Sequence, residues 1–375
     1  MSVETEHKRI LIDDFFDVVV KTKASDLHLQ EGMPPKMRLH GDIQNIREEP
    51  LQHGEIEQML REVVGPKKWA IFVEKGDVDC AYELSADSRF RCNLHRQVRG
   101  LGGIFRLIPN KIATLEELKV PPVIKKFANL KGGLVLVTGP TGSGKSTTLA
   151  ALINYINSSY SRHIITIEEP IEFVHPNKLS IITQREVGED TPSFASGLKN
   201  AMREDADVVL VGEMRDLETI ALALTAAETG MLVFGTLHTN NARKTVDRMI
   251  DVFPSNQQAM VRTMLSASLR GIVAQLLMKK VGGGRVAVNE ILISNNAVSS
   301  IIREGSVEKL TDVLISGKSE GMQFMDDAIN ALLVAGTVTP QEAYMKAIDK
   351  SRFAPMLEGT PMGEIAKGGK PKPKH

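Results

Sequence analysis

A glycine-rich segment between an apolar run and a helical pattern carries the most specific chemistry in the sequence. Residues 134–150 read LVLVTGPTGSGKSTTLA. The pattern G-x-x-x-x-G-K-[ST] is matched there by Gly139, Pro140, Thr141, Gly142, Ser143, Gly144, Lys145 and Ser146. Such glycines allow backbone N–H groups to surround phosphates, and the N-terminus of the following helix adds positive potential. We expect Lys145 to reach the β- and γ-phosphates of a nucleoside triphosphate and the Ser146 hydroxyl to bind Mg²⁺.

A dinucleotide-binding turn is the competing interpretation of these glycines. Its fingerprint, G-x-G-x-x-G, does not end in Lys-Ser. Because Lys145 and Ser146 follow the last glycine and open a helical segment, the sequence favours a triphosphate.

Two further predicted strands end in acidic residues. The segment ITIEEPIEF (165–173) contains Glu168 and Glu172, and DADVVLVGEMRD (205–216) contains Glu213. Ligands bind at the carboxyl ends of strands in doubly wound sheets, and triphosphate hydrolysis needs groups there that hold Mg²⁺ and orient water. We expect Glu213 and at least one glutamate at 168–172 to be functional, and the residues leave open which of the latter it is.

A histidine follows another predicted strand, in GTLHTNN (235–241). Around His238, the polar residues Thr236, Thr239 and Asn240 are suited to contacting a γ-phosphate. A purely structural histidine is an equally good interpretation of this pattern.

Several arginines lie within RFRCNLHRQVRGLGGIFR (89–106), namely Arg89, Arg91, Arg99 and Arg106. The first two share one strand face, since side chains repeat every second residue. Arginines from another domain or subunit can stabilise charge on a transferred phosphate. A solvated basic face is the simpler interpretation, and nucleic-acid binding is a third, although few aromatic residues there could stack on bases.

The elements that must position these residues fall into two patterns. Residues 8–110 mix one helix with alternating strands, which predicts a small α+β domain. A proline-containing connector follows, and from 123 onward apolar strands alternate with helices such as 216–229, which predicts a parallel, doubly wound α/β sheet. Residues 295–350 are predicted to be mostly helical.

Composition is that of an ordinary globular protein. The 375 residues include 42% hydrophobic side chains and equal numbers, 46 each, of basic and acidic side chains. A balanced charge gives no general attraction to nucleic acid, and two cysteines exclude a disulfide framework. No apolar stretch reaches the ~20 residues that span a bilayer, and the first residues lack a signal-peptide pattern, so we expect a cytoplasmic protein.

These motifs together resemble the motor ATPases of type II secretion and type IV pili. Four signatures of that family have similar segments here. GPTGSGKST (139–147) resembles its phosphate loop and ITIEEPIEF (165–173) its acidic box. VLVGEMRDLETIALALTAAETG (209–230) resembles its Mg²⁺-site strand, and GTLHTNNARKTVDRMIDVFP (235–254) its histidine box. The first of these adds Thr147 to the expected phosphate-binding residues.

The resemblance implies a fold and an assembly. The family pairs a PAS-like N-terminal domain, here 1–110, with a RecA-like ATPase domain, here 123–355, through a linker at 111–122. The tail at 356–375 is expected to be disordered. Six copies are expected to form a ring that binds ATP and Mg²⁺ at the cytoplasmic face of the inner membrane, with a pilus platform protein and a paralogous pilus ATPase as partners.

The resemblance also implies residue roles. Glu213 would serve the Mg²⁺ and water site, Glu168 and Glu172 the acidic box, and His238 would sense the γ-phosphate. The four arginines would contact phosphates from the N-terminal domain, which replaces the simpler interpretation of a solvated face for at least some of them.

Features outside the motifs favour the retraction branch of the family. Extension-type members carry a longer N-terminal region and a four-cysteine zinc motif, and neither occurs here. Two departures stand out. Glu169 replaces the usual aspartate of the acidic box, and Ser299 and Ser300 replace an Arg-Asn pair in a retraction-associated element, here NAVSSIIREG (296–305).

Three functions follow as hypotheses. The first is a hexameric ATPase that powers pilus retraction and twitching motility. The second is an accessory ATP-binding ring subunit with impaired coupling to retraction, motivated by Ser299 and Ser300. The third is a nucleic-acid translocase, which the balanced charge disfavours.

Overall fold

The computed structural model describes residues 9–39, 41–85, 88–109 and 112–357. The predicted tail at 356–375 lies outside this range except for Met356 and Leu357, which end a 3₁₀ helix (Ala354–Leu357). The described residues divide into two compact units. One extends to Ile112 and includes Pro170–Val174, and the other contains Ala113–Glu169 and the residues from His175 onward.

The first unit is an antiparallel sheet with two described helices. Its strands are β1 (Asp26–Gln30), β2 (Lys36–Leu39), β3 (Asp42–Asn45), β4 (Asp77–Ser85), β5 (Ser88–Gln97) and β6 (Gly100–Pro109), in the order β3-β2-β1-β6-β5-β4. Phe16 of α1 (Asp13–Thr22) stacks on Phe90 of β5 with ring centroids 4.1 Å apart. This aromatic contact lies in the hydrophobic core of the unit.

A second helix in this unit, α2 (His53–Lys75), is absent from the sequence prediction of one helix. It is interrupted at Gly65, whose backbone is not helical, and Pro66 follows. Proline has no backbone N–H to donate, so the helical hydrogen bonding is interrupted there. The interruption divides the helix into two shorter segments, and the helical spacing of apolar residues is harder to recognise in each.

The second unit is built on a mostly parallel sheet. Its described strands are β7 (Gly133–Thr138), β8 (His163–Glu168), β9 (Ile181–Glu186), β10 (Val208–Val211), β11 (Leu232–Leu237), β12 (Leu269–Lys279) and β13 (Arg285–Ile293). They lie in the order β13-β12-β7-β11-β10-β8-β9, and only the β12–β13 pair is antiparallel. The predicted mixed α/β class with a parallel sheet is confirmed.

Helices cover this sheet. They are α3 (Pro122–Lys126), α4 (Lys145–Ser159), α5 (Phe194–Ala201), α6 (Leu217–Glu228), α7 (Ala242–Asp251), α8 (Gln258–Ser268), α9 (Asn296–Glu304), α10 (Leu310–Ser316), α11 (Met325–Val334), α12 (Pro340–Lys346) and α13 (Lys350–Phe353). Every residue of β7, β10 and β11 is buried, which explains why these strands are rich in Val and Leu. The predicted domain boundaries stay predictions, and in the predicted linker Leu115 is buried in this unit's core.

Candidate functional site

The register of the parallel strands brings four predicted segments to one edge of the sheet. Thr138 at the end of β7 pairs with Leu237 at the end of β11. Val211 at the end of β10 lies between Gly235 of β11 and Ile167 of β8. The phosphate loop, His238, Glu213 and Glu168 therefore all lie at the carboxyl ends of adjacent strands, where α/β sheets bind ligands.

The phosphate loop runs from the end of β7 to Lys145, the first residue of α4. Gly139 has a φ of 147°, and a Cβ there would lie 2.2 Å from the Gln275 carbonyl oxygen, so only glycine fits. Lys145 Nζ donates to the carbonyl oxygens of Gly139 and Pro140 at 2.7 and 3.2 Å. The buried Ser143 hydroxyl has no hydrogen-bond partner among the described residues. An unpartnered hydroxyl and an ammonium group beside the loop fit an anionic ligand such as a phosphate.

A buried glutamine beneath the loop is a site residue that the sequence prediction missed. Gln275 of β12 donates from Nε2 to the Ser143 carbonyl oxygen at 2.7 Å. Its Oε1 accepts from Thr148 Oγ1 at 2.9 Å and from Asn289 Nδ2 at 3.0 Å. The apolar run around it, GIVAQLLM (271–278), contains a single polar residue, and that was the available signal.

Glu213 follows β10 and is bound by two cationic or polar partners. Arg215 donates to both carboxylate oxygens, from Nε to Oε1 and from Nη2 to Oε2 at 2.6 Å. His238 Nε2 lies 2.8 Å from Oε1, and it must carry the proton because an ionised carboxylate only accepts. Two residues that the sequence analysis named separately, Glu213 and His238, are therefore in hydrogen-bond contact, and Arg215 joins them although the sequence prediction did not single it out.

These contacts set the ionisation of the Glu213 carboxyl group. Partial burial raises its pKa, but the hydrogen bond from Arg215 and the charges of His238 and Arg215 lower it by more. The net pKa lies below the ordinary value for glutamate, and that of Arg215 is raised by the same hydrogen bond. Glu213 is therefore a carboxylate at neutral pH.

Glu168, the last residue of β8, is also held by neighbouring polar groups. Its Oε1 accepts from Thr166 Oγ1 at 2.7 Å and from Gln184 Nε2 at 3.3 Å. Both of these partners are neutral hydrogen-bond donors. Glu169, the departure from the family pattern, is exposed.

The histidine segment is fixed on both sides of His238. Thr236 donates to the Gly212 carbonyl oxygen, and this bond joins the ends of β11 and β10. Asn241 caps α7 by accepting from the Lys244 N–H at 2.8 Å. The Ala242 N–H donates to Glu290 Oε1 at 2.8 Å, and burial raises the pKa of this glutamate. His238 itself is about half exposed, so it is accessible to a ligand.

The remaining predicted site residues belong to the first unit. Arg106 donates from Nε to Asp26 Oδ1 at 2.9 Å, and Arg91 Nη1 lies 3.9 Å from Glu172 Oε1. Glu172 was predicted within the ATPase domain, whereas Pro170–Val174 groups with the first unit.

Exposure separates the four predicted arginines. Arg91 is exposed on β5, and Arg89, two residues earlier on the same strand face, is half-buried. Arg99 is exposed in the turn between β5 and β6, and Arg106 is exposed on β6. The predicted phosphate contacts of these arginines stay predictions.

The predicted Mg²⁺ residues differ in how they present oxygen atoms. The Ser146 side chain is exposed at the start of α4, which fits a hydroxyl that joins phosphates and waters around the ion. Both oxygens of Glu213 already accept hydrogen bonds from Arg215. Within the ranges that the structure describes, no cluster of three or more His, Cys, Asp or Glu side chains is arranged to hold a metal ion.

Across those same ranges, no helix has the length and apolar character that crossing a membrane requires.

Comparison with known proteins gives consistent results. Residues 105–283 match the family described as type II/IV secretion system protein. The chain is 50% identical over 327 residues to the type IV pilus retractation ATPase PilT of Pseudomonas aeruginosa, covering 87% of this chain and 95% of that protein. It is 51% identical over 314 residues to a twitching motility protein of Neisseria gonorrhoeae, covering 84% of each.

A solved structure agrees with these sequence relatives. The crystal structure of the pilus retraction motor PilT with bound ADP superimposes with a TM-score of 0.85 at 43% identity, covering 92% of this chain and 99% of that one. With 50% identity over 327 aligned residues to a relative of which it covers 95%, this chain belongs to the type II/IV secretion system protein family.

Proposed function

We propose that this chain is a Mg²⁺-dependent ATPase that powers retraction of a type IV pilus and thereby twitching motility. The observation that carries the proposal is the meeting of the phosphate loop, Glu213 and His238 at one sheet edge in a chain that is 50% identical to PilT. Nucleotide binding is further supported by the ADP in the similar PilT structure.

The phosphate loop would bind the triphosphate. The backbone N–H groups of residues 141, 142 and 144–147 and the N-terminus of α4 would supply positive potential, and Lys145 would exchange its carbonyl partners for phosphate oxygens. Bound Mg²⁺ supplies charge neutralisation between the phosphates, and the exposed Ser146 hydroxyl would hold it. Thr141, Gly142 and Thr147 complete the loop.

Glu213 and His238 would act on the terminal phosphate. Glu213 is ionised and only partly buried, so it can accept a hydrogen bond from the attacking water and orient it. His238 is hydrogen-bonded to Oε1 of that carboxylate and is half exposed, so it could contact a γ-phosphate while it stays bonded to Glu213. Loss of the γ-phosphate would then change the contacts of both residues. Glu168 adds a second carboxylate at the neighbouring strand end, and Glu172 stays assigned to the acidic box.

The arginines of the first unit would supply positive charge to the phosphates. Arg91 and Arg99 are exposed and suited to this role. Arg106 would first have to exchange its carboxylate partner, Asp26, for a phosphate. Arg89, half-buried on β5, is retained in the set by the family resemblance.

The assembly is proposed on family grounds. Six copies would form a ring at the cytoplasmic face of the inner membrane and act on the pilus platform protein, with a paralogous pilus ATPase as a further partner. No nucleic acid is expected, because basic and acidic side chains are equal in number.

Two substitutions test the active site. Lys145→Ala should weaken ADP binding, whereas Glu213→Gln should bind ADP as the wild type does, because it keeps the side chain's size and removes only its charge. Both should lower ATP turnover by about 100-fold or more. Exposed Lys131→Ala, outside the loop, is the matched control. Wild-type turnover in both variants would contradict the assignment.

The accessory role is the second candidate, favoured by Ser299 and Ser300 in α9. Expression in a strain that lacks its retraction motor distinguishes the two. Restored twitching supports the motor, and bound nucleotide without restored twitching supports the accessory subunit.

A further inference from the structure

Gln275 connects the phosphate loop to the buried part of the sheet. It is 1% exposed, and its amide bonds to the loop at Ser143 and to the first turn of α4 at Thr148. One side chain therefore fixes both the turn that would surround a phosphate and the start of the helix that follows it.

The orientation of this amide is determined by its partners. The Ser143 carbonyl oxygen can only accept, so the Nε2 group of Gln275 must face it. The Oε1 atom is then turned towards Thr148 and Asn289, and both donate to it. A flipped amide would break both bonds.

Asn289 is itself held on its far side. Gln323 donates from Nε2 to the Asn289 carbonyl oxygen at 2.7 Å. Gln323 also exchanges two backbone hydrogen bonds with Ile291, at 2.8 and 2.9 Å. The β13 backbone that carries the Asn289 side chain is therefore bonded to β12 on one side and to Gln323 on the other.

The consequence concerns the Ser143 carbonyl. Because Gln275 is buried, a carbonyl bonded to it points towards the interior and away from the exposed loop residues Thr141 and Gly142. A carbonyl oxygen turned towards a bound phosphate would repel it, and a loop that must reorganise on binding loses affinity.

We propose that Gln275, oriented by Asn289, is a positioning residue for the nucleotide that keeps the Ser143 carbonyl out of the phosphate site. This inference rests on the proposed nucleotide binding of the same loop. Strands β12 and β13 lie after all the recognised motifs in the sequence, and the inference gives them a part in setting nucleotide affinity.

The sharpest test is Gln275→Glu, because the introduced carboxyl group changes character with pH. When protonated it can still donate to the Ser143 carbonyl oxygen, and when ionised it cannot and instead repels that oxygen. We expect the Kd for fluorescently labelled ADP with Mg²⁺ to be near the wild-type value at pH 5.5 and to rise about tenfold or more by pH 8.5 relative to wild type.

Two further variants separate positioning from general loss of stability. Gln275→Met removes every bond and should raise the Kd about tenfold at all pH values. Asn157→Leu removes another fully buried amide, at the far end of α4, where Asn157 donates to the Pro176 carbonyl oxygen. It should lower the Tm but leave the Kd within about twofold.

The outcomes are distinct. If Gln275→Met does not fold, Asn289→Ala takes its place in the comparison of ADP affinity with wild type. This variant leaves Gln275 in place and should raise the Kd for ADP several-fold. A wild-type protein that binds no ADP would overturn both the proposed function and this inference. Wild-type binding with unchanged Kd and pH profile in the Gln275 variants would overturn only the inference.

Discussion

At the scale of single residues, the ion pair between Glu213 and Arg215 controls a charge at the centre of the candidate site. An arginine that holds both oxygens of a carboxylate stabilises its ionised form, and the pKa of Glu213 is lowered accordingly. Glu213 is thus kept ionised, which the proposed role of orienting water requires. Each carboxylate oxygen has two lone pairs, so Oε1 accepts from both Arg215 and His238, and Oε2 keeps a lone pair for a further donor such as water.

This arrangement predicts a change in the pH dependence of turnover. In Arg215→Met, the pKa of Glu213 should rise, so its ionised form is lost at a higher pH as the solution is acidified. The acid limb of the kcat/KM profile for ATP should therefore move to higher pH than in the wild type. Steady-state ATPase assays between pH 5 and 9 measure it.

Arg243→Met, at an exposed position on α7, is the control and should leave the profile in place. An acid limb that stays at the wild-type pH in Arg215→Met would mean that Glu213 ionisation does not limit turnover.

At the scale of elements, the phosphate loop combines local backbone requirements with packing from a distant strand. Gly139 and Gly142 both have positive φ, at 147° and 75°. A Cβ at Gly142 would meet nothing within 4 Å, whereas one at Gly139 would overlap the Gln275 carbonyl oxygen of β12. At Gly142 only the backbone conformation favours glycine. At Gly139 a close contact with β12 favours it as well.

We expect Gly142→Ala to cost about 1–2 kcal/mol through backbone strain alone. Gly139 has a φ of 147°, farther from the left-handed region that other residues adopt, and its Cβ would also clash with backbone, so Gly139→Ala should lower the Tm further and weaken ADP binding more. Thermal unfolding and ADP titration of both variants measure the difference. Equal effects in the two variants would show that β12 does not constrain the loop.

At the scale of the whole molecule, nucleotide turnover and pilus retraction need not depend on the same surface. Ser299 is half-buried and Ser300 is exposed on α9, and the retraction-associated family element has Arg and Asn at these positions. The hydrogen bonds that hold the candidate site do not include either serine side chain.

We therefore expect Ser299→Arg combined with Ser300→Asn to leave ATP turnover within about twofold of wild type, because surface substitutions away from a site rarely alter it. Twitching speed in a complemented retraction-deficient strain should increase, because α9 regains the family's charge at half-buried position 299 and its amide at exposed position 300. Ser316→Arg, exposed at the end of α10, controls for added charge. Equal twitching in the double variant and the wild type would contradict a coupling role.

Much of the site could be predicted because it depends on local sequence. The glycines, Lys145 and Ser146 specify a loop and a helix start, and buried apolar runs specify β7, β10 and β11. Since parallel strands expose their carboxyl ends at one edge, candidates could be named at each strand end, and the structure brings two of them, Glu213 and His238, into contact.

Other parts depended on contacts between residues far apart in the chain. Strands β12 and β13 were not predicted, because an apolar run alone does not distinguish a strand from a buried helix. Gln275 and Arg215 became recognisable only through their partners, Ser143 and Glu213. The phosphate-loop pattern and its helix start could be read from the sequence, because the backbone requirements of a glycine-rich turn are local. The buried amides and charges that contact this loop and Glu213 emerged only from the folded chain, because hydrogen bonds require a proximity that spacing cannot specify.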